Sequence, residues 1–259
     1  MTFDPAQAAD LLEAARRDHR QHSPLPAGVA PRDAEQAAAV QRELARRFGV
    51  IAPAGFKIGA TAKRMQDYLG LTGPGAGFIA PDDLLDSGAE LPFAALFRPG
   101  VECELAVRLG ADIPPGPCDE ARAAAAVEAL FAAIELVENR YGDLKELGTP
   151  SLIADQLFHR AAVIGVPLAD WTTLDPAGLR GRITVNDEGR GEGLGAELMG
   201  NPLRGLAWLA GSDVAAAFGG LREGQVVLLG SVTPPVWLDG PALVEVAFPP
   251  LAPVVLRLR

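Results

Sequence analysis

Residues 98–110 read RPGVECELAVRLG, a stretch whose alternation fits a β-strand. On such a strand Val101, Cys103, Leu105 and Val107 share one face, while Glu102, Glu104 and Ala106 share the other. Two carboxylates then stand roughly 6–7 Å apart, and at a surface-like effective dielectric they repel by about 2–3 kcal/mol. Any fold that keeps this strand must either solvate both glutamates or bring a positive charge to them.

The chain offers few positive charges. Its 259 residues carry 23 Lys and Arg against 33 Asp and Glu, a formal charge of -10. The basic pairs Arg16-Arg17 and Arg46-Arg47 read as ordinary faces of amphipathic helices, so nucleic acid is not expected as a partner. An acidic protein that handles an anionic substrate needs local screening, for which a bound divalent cation is the usual device. At 49% hydrophobic and 22% charged, the composition is that of a globular protein with one large domain or a domain plus an appendage. Two cysteines, Cys103 and Cys118, allow neither a disulfide framework nor a C-x-x-C metal site, and point to a reducing cytoplasm. The N-terminal MTFDPAQAADLLEAARRDHRQ is amphipathic and charged, unlike a secretory signal. No window approaches 18 uninterrupted apolar residues, so no membrane span is expected.

Pattern along the chain gives an α+β fold. Residues 4–20 predict a helix with Leu11, Leu12 and Ala15 on one stripe, and Asp33 caps a second helix through Arg47. GFKIGA reads as a strand, AKRMQDYLG as a short helix and GPGAG as a loop. After the glutamate-bearing strand, DEARAAAAVEALFAA reads as an Ala-rich helix leading into a strand, AIELVENR. Thr149 and Pro150 open a further helix, as do Asn201 and Pro202, and GQVVLLGSV, ALVEVAF and PVVLRLR make a β-rich end. The arrangement expected is a helical N-terminal region, 1–75, and a mixed sheet, 76–259, curling into a roll.

Familiar motifs fail. GEGLG and GPGAG lack the strand-helix setting of a dinucleotide fingerprint, and no G-x-S-x-G, Walker A or H-E-x-x-H occurs. His19 and His22 are expected to be solvated, His159 to be a satisfied structural histidine or to face a cleft, and Cys103 to be a buried thiol. Glu102 and Glu104, by spacing alone, are either two solvated residues or the start of a hard-cation site. Glu135 shares a face with Ala133 and Val137 in an otherwise apolar strand, where a lone buried carboxylate is costly and a shared cation would resolve it. Lys57 lies between Phe56 and Ile58 among glycines, either as an exposed lysine or as an acid/base or anion anchor in a tight pocket.

Five blocks, GFKIGATAKRMQDYLGLTGPGAGFI, RPGVECELAVRLG, AIELVENR, MGNPLRGLAWLA and LREGQVVLLGSVTPP, occur in this order. Together they resemble the 2-keto-4-pentenoate hydratase and 4-oxalocrotonate decarboxylase family of the fumarylacetoacetate hydrolase superfamily, from the N-terminal helices nearly to the C-terminus. The resemblance implies that superfamily's mixed β-roll, with Mg2+ or Mn2+ held by Glu102, Glu104 and Glu135. Lys57 would transfer protons, with Asp155 also catalytic, and Thr61, Arg64, Arg140, Gln156, Ser231 and Thr233 would bind substrate. The implied substrate is a 2-hydroxydienoic acid or its 2-oxo tautomer, and a homo-oligomer is the implied assembly.

The chain departs from the family after Glu135. ADQLFHRAAVIG keeps Asp155 but places Gln156, Leu157, Phe158 and His159 where smaller, often hydroxyl-bearing residues are expected. That implies a different substrate tail, or a chemistry in which His159 joins as an acid/base. Three readings follow: a metal-dependent hydratase; a vinylogous 2-oxo acid decarboxylase or related tautomerase or lyase, whose second substrate carboxylate would want Arg64, Arg140 or Arg160; and a non-catalytic paralogue that assembles with a pathway partner. Retention of Lys57 and all three glutamates argues against the last.

Overall fold

The computed structural model describes residues 3–18, 20–142 and 147–259, so His19 lies outside the described residues. Two capped helices come first. Asp4 accepts from the Ala6 N–H at the start of α1 (Pro5–Arg17), and Asp33 accepts from the Gln36 N–H at the start of α2 (Ala34–Arg47). Then follow β1 (Gly55–Gly59), α3 (Lys63–Leu69), β2 (Gly75–Ile79), β3 (Leu84–Asp86), β4 (Ala89–Leu91) and β5 (Pro99–Leu109). The middle of the chain forms α4 (Glu120–Ala125), β6 (Val127–Glu138), α5 (Thr149–Ala154) and β7 (His159–Ile164). The last part comprises β8 (Arg180–Val185), β9 (Glu188–Leu194), α6 (Pro202–Ala210), α7 (Asp213–Ala217), β10 (Val226–Ser231), β11 (Val236–Trp237), β12 (Ala242–Ala247) and β13 (Val254–Leu258).

The main sheet runs β2-β1-β10-β5-β6-β7-β3, with β11 pairing β5 at the side; a second sheet runs β4-β13-β12-β8-β9. Parallel pairs (β1 with β10, β3 with β7) sit among antiparallel ones, so the sheet is mixed. Its curl is visible in the packing. Ile79 of β2, Val226 and Leu228 of β10, Ala106 of β5, Phe131 and Ala133 of β6, and Ala162 and Ile164 of β7 form one buried cluster drawn from nearly the whole width of the sheet. Only a sheet rolled about this face brings its two ends together. The opposite face, with Phe56, Cys103, Leu105 and Ile134, packs into the larger core shared with the helices and the second sheet.

Two elements differ from the sequence expectation. GPGAG is not all loop: from Gly75 it is β2, paired with β1 through Gly59–Gly75 and Lys57–Gly77. The Ala-rich helix stops at Ala125, and the chain from Val127 is strand. Helix propensity favours continuation, but the β5 ladder reaches from Glu138 back to Val127, and pairing inside a buried sheet outweighs it. His22 is also not solvated; its backbone N–H donates to Arg140 O at 2.8 Å and its ring is half-buried.

The helical N-terminal part is keyed into the roll. The buried Gln41 of α2 donates to Ala76 O (2.7 Å) and Ile153 O (2.6 Å) and accepts from the Phe78 N–H. A boundary after residue 75 falls inside β2, immediately past Gly75, which pairs with Gly59 of β1. Among the described residues, no helix is long and apolar enough to cross a membrane.

Candidate functional site

The β5–β6 register sets Glu135 directly opposite Glu102, and Glu104 follows two residues along on the same face. One carboxylate oxygen from each lies within 4.8 Å of the others. Glu104 and Glu135 are fully buried and Glu102 half-buried, so solvation does not separate the charges. Lys57 reaches the cluster from β1, its Nζ 3.1 Å from Glu135 Oε1. At 2% exposure it is not the surface lysine its strand position allowed. The same oxygen is 2.8 Å from His159 Nδ1. Glu104 Oε2 accepts from the Gly230 N–H at 2.6 Å. That donor is aimed by a break in register between Leu228 and Ser231, where Gly230 has φ +115 and an added Cβ would stand 2.0 Å from Thr61 Oγ1.

Electrostatics agree with the geometry. Burial pushes Glu102 up to about 8; the charge of Glu135 adds to the rise and Lys57 opposes it. Glu104 is raised well above its ordinary value by burial and by the charges of Glu135 and Glu102. Burial also pushes Glu135 up, but Lys57 and His159 more than offset it and hold this carboxyl below its usual value. Two buried oxygens, Glu104 Oε1 and Glu135 Oε2, have no hydrogen-bond partner. Three converging carboxylates with unpartnered buried oxygens and an all-oxygen donor set fit a hard divalent cation.

Beside the carboxylates is a cavity lined by Lys57, Gly59, Thr61, Met65, Leu69, Glu102, Val137, Leu157, Phe158, Ser231, Thr233, Pro235 and Trp237, with about 50 Å3 of open space. The hydroxyl oxygens of Thr61 and Thr233 are buried there without partners. Ser231 is already engaged: it donates to Thr233 O at 2.8 Å and accepts from the Cys103 N–H at 3.2 Å. The roof is the turn Gln156–Phe158, whose three residues all have positive φ, at 55°, 47° and 70°. Each non-glycine residue held in this region costs about 1–2 kcal/mol.

Residues 65–258 match the family described as fumarylacetoacetate (FAA) hydrolase, C-terminal. The chain belongs to that family. Among curated proteins, 2-hydroxyhexa-2,4-dienoate hydratase of Comamonas testosteroni is 33% identical over 183 residues, 70% of this chain and 68% of the relative. The 2-keto-4-pentenoate hydratase 2 of Dechloromonas aromatica (strain RCB) is 31% identical over 237 residues, 90% of this chain and 88% of the relative. Among solved structures, 4-oxalocrotonate decarboxylase from Pseudomonas putida G7, complexed with magnesium and adipate, superposes with a TM-score of 0.89 at 23% identity, covering 98% of this chain and 97% of that one. That likeness shows that the two share a fold.

In this member of the fumarylacetoacetate hydrolase family, Lys57, Thr61, Glu102, Glu104, Glu135, Ser231 and Thr233 come together, with His159 behind Glu135. The other sequence candidates stand elsewhere. Asp155 is locked between Arg140 (2.9 and 3.0 Å) and Arg16 (3.1 Å), and Arg140 also bridges Glu138. Gln156 donates to Phe78 O at 2.6 Å and accepts from Arg16, so its amide is engaged. Arg64 is 45% exposed, bridging Glu197 and donating to Val232 O. Arg160 pairs with Asp83 and lines, with Arg16, Arg17 and Arg140, a separate open cleft of about 970 Å3. The family departure at DQLFH pointed to Leu157, whereas the sequence reading missed the role of Arg16 and the wall formed by Met65, Leu69 and Trp237.

Proposed function

We propose that this protein is a divalent-metal-dependent hydratase that adds water to a 2-hydroxy-2,4-dienoate, giving a 4-hydroxy-2-oxo acid. The observation that carries the reading is the convergence of Glu102, Glu104 and Glu135 with Lys57 beside a largely apolar cavity that also presents the hydroxyls of Thr61 and Thr233. The hydratase relatives support it.

Glu102, Glu104 and Glu135 would hold the ion, Mg2+ or Mn2+. When bound, the ion supplies Lewis-acid stabilisation of the enolate of a chelated 2-oxo acid. Lys57 Nζ delivers a proton to C5 of the dienol as the 2-hydroxyl proton is lost to solvent, giving the α,β-unsaturated 2-oxo acid, and water then adds across C3=C4, its hydroxyl to C4 and its proton to C3. His159 positions Glu135 through Nδ1, while the unpartnered hydroxyls of Thr61 and Thr233 bind substrate oxygens. Met65, Leu69, Val137 and Trp237 keep water away from the tail. Ser231 serves as the clasp that orders the backbone beneath them. Two unpaired cysteines accord with a reducing cytoplasm as its setting.

A decarboxylase acting on a dicarboxylate needs a second cation in the pocket. Among the described residues no arginine lines it: Arg140 and Arg160 are paired elsewhere and Arg64 lies outside. The substrate favoured is therefore a monocarboxylate with an uncharged tail.

The test starts from metal-stripped protein, restores Mg2+ or Mn2+, supplies 2-hydroxypenta-2,4-dienoate and follows loss of its ultraviolet absorbance. Metal-dependent conversion to 4-hydroxy-2-oxopentanoate, absent in Glu104→Gln, is expected. Metal binding with turnover of 4-oxalocrotonate alone would replace the hydratase by the decarboxylase. Absence of metal binding would remove the whole reading.

A further inference from the structure

One wall of the cavity beside the carboxylates is the protein's own Leu157. Its Cδ2 lies 2.8 Å from where a Cβ would stand on Gly59, and its Cδ1 lies 2.8 Å from the same point on Gly75. Two glycines facing each other across β1 and β2 therefore make the slot into which this side chain drops. The open space of the cavity, about 50 Å3, holds roughly three or four water molecules. The smallest dienoate of the proposed class has eight non-hydrogen atoms. A dienoate held beside the carboxylates therefore comes up against the Leu157 side chain.

The same residue also occupies the amine. Leu157 O accepts from Lys57 Nζ at 3.2 Å, so the group assigned to proton transfer is held by the roof of its own pocket. The backbone that presents Leu157 is the left-handed run Gln156–Leu157–Phe158, a conformation these side chains adopt only when their surroundings impose it. The imposing contacts lie at its ends: Arg16 and Arg140 on Asp155, Gln156 on Phe78 O, and His159 on Glu135.

We propose that Leu157 is a plug that the substrate tail displaces, and that it thereby sets which tails the enzyme accepts. Resting on the hydratase reading, this assigns the Gln156–Phe158 turn as the hinge. As the side chain leaves the glycine slot, Leu157 O releases Lys57 Nζ, so the amine is freed when the tail is in place. Dienoates with short aliphatic tails fill the vacated slot; a charged tail gains nothing there.

Removing the plug discriminates this role from that of a fixed wall. Leu157→Ala and the more conservative Leu157→Met are compared with the unaltered protein, all loaded with Mg2+. The first readout is calorimetric affinity for 2-oxopentanoate, which cannot be hydrated. The second is kcat/KM for 2-hydroxyocta-2,4-dienoate relative to 2-hydroxypenta-2,4-dienoate. A displaced plug reduces apparent affinity by the fraction of molecules that are open, so Leu157→Ala is expected to bind 2-oxopentanoate several-fold tighter. Its preference for the longer tail is expected to rise roughly tenfold or more, with Leu157→Met between. A fixed wall gives the opposite sign, because truncation loses contact with the ligand. Weaker or unchanged binding in Leu157→Ala, or an unmoved tail preference in enzymes that turn over both dienoates, overturns the plug. If no form hydrates any dienoate, the hydratase reading falls and calorimetry alone decides on the plug.

Discussion

Lys57 is the residue on which the charge balance of the site turns. It is the only lysine or arginine within ion-pair distance of the three glutamates among the described residues, and it reaches Glu135 rather than the Glu102–Glu104 pair. Replacing it with methionine keeps most of the buried volume and removes the proposed proton donor. Lys57→Met is expected to lower kcat by about 10²–10⁴ while leaving Mg2+ binding in place, measured by turnover and by calorimetric titration. A variant with near-normal kcat would take proton transfer away from Lys57. Asp155 is a contrasting case, a carboxylate whose partners sit around it as a framework. Burial alone would raise it, but Arg140 and Arg16 hold it below its ordinary value of 3.8. The unfolded chain therefore takes up this proton first as the solution is acidified. Stability from Asp155 is complete above that ordinary value and drains away as pH falls through the lower folded value. Asp155→Asn leaves Arg140 buried without its carboxylate and should cost about 3–5 kcal/mol at neutral pH. Its stability should also decline less steeply in acid, read from denaturant midpoints between neutral pH and pH ~3. Parallel acid limbs in the two proteins would refute the assignment.

At the scale of elements, β5 and β6 carry the site and were the most legible parts of the chain. Carboxylates and a lysine set into apolar strands are chemically conspicuous, so Lys57, Glu102, Glu104 and Glu135 stood out before any contact was known. The C-terminal extent of β6 was legible too, but its beginning was hidden inside an Ala-rich segment whose local preference is helical. Only pairing with β5 makes it strand. β2 was hidden for a similar reason. Its glycines read as loop, yet Gly75 and Gly77 are small because Leu157 and Gln156 press on them from above. The roof stood out only as a departure from the family, and its ties were illegible because they join residues 100 to 140 positions apart: Lys57 to Leu157, and Arg16 to Asp155 and Gln156. No local pattern records such contacts. The glycine at the start of β1 offers a direct check on the sheet. A Cβ on Gly55 would meet Val226 O at 1.8 Å, with backbone on both sides and no side chain free to yield. Gly55→Ala should destabilise the protein by ~3 kcal/mol as the parallel β1–β10 pair is forced apart. Gly28, with nothing within 4 Å of an added Cβ, provides the control in which alanine is tolerated. Equal melting temperatures for the two variants would contradict the β1–β10 register.

For the whole molecule, the central question is what holds a sheet closed around three carboxylates in a chain of formal charge -10. Lys57 and the Gly230 N–H answer part of the charge, and the N-terminal helices brace the roll through Gln41 and Arg16. Two buried carboxylate oxygens still lack any partner, so a bound cation should act as a structural cross-link between β5 and β6 as well as a chemical group. A ligand that binds only the folded state at one hundred times its dissociation constant adds about 2.7 kcal/mol. For a chain of this size that corresponds to a rise of roughly 5–10 °C in melting temperature. General screening of the net charge would also raise stability, but at matched ionic strength it acts with any salt. The two effects separate in one experiment: melting curves of metal-stripped protein with Mg2+, with Mn2+, and with Na+ at equal ionic strength. The expected result is a saturable rise with either divalent ion, little change with Na+, loss of the rise in Glu104→Gln and its retention in Lys57→Met. An equal rise with Na+, or an undiminished rise in Glu104→Gln, would mean that the ions act on the surface charge, and that the roll closes around its carboxylates by protonating them instead.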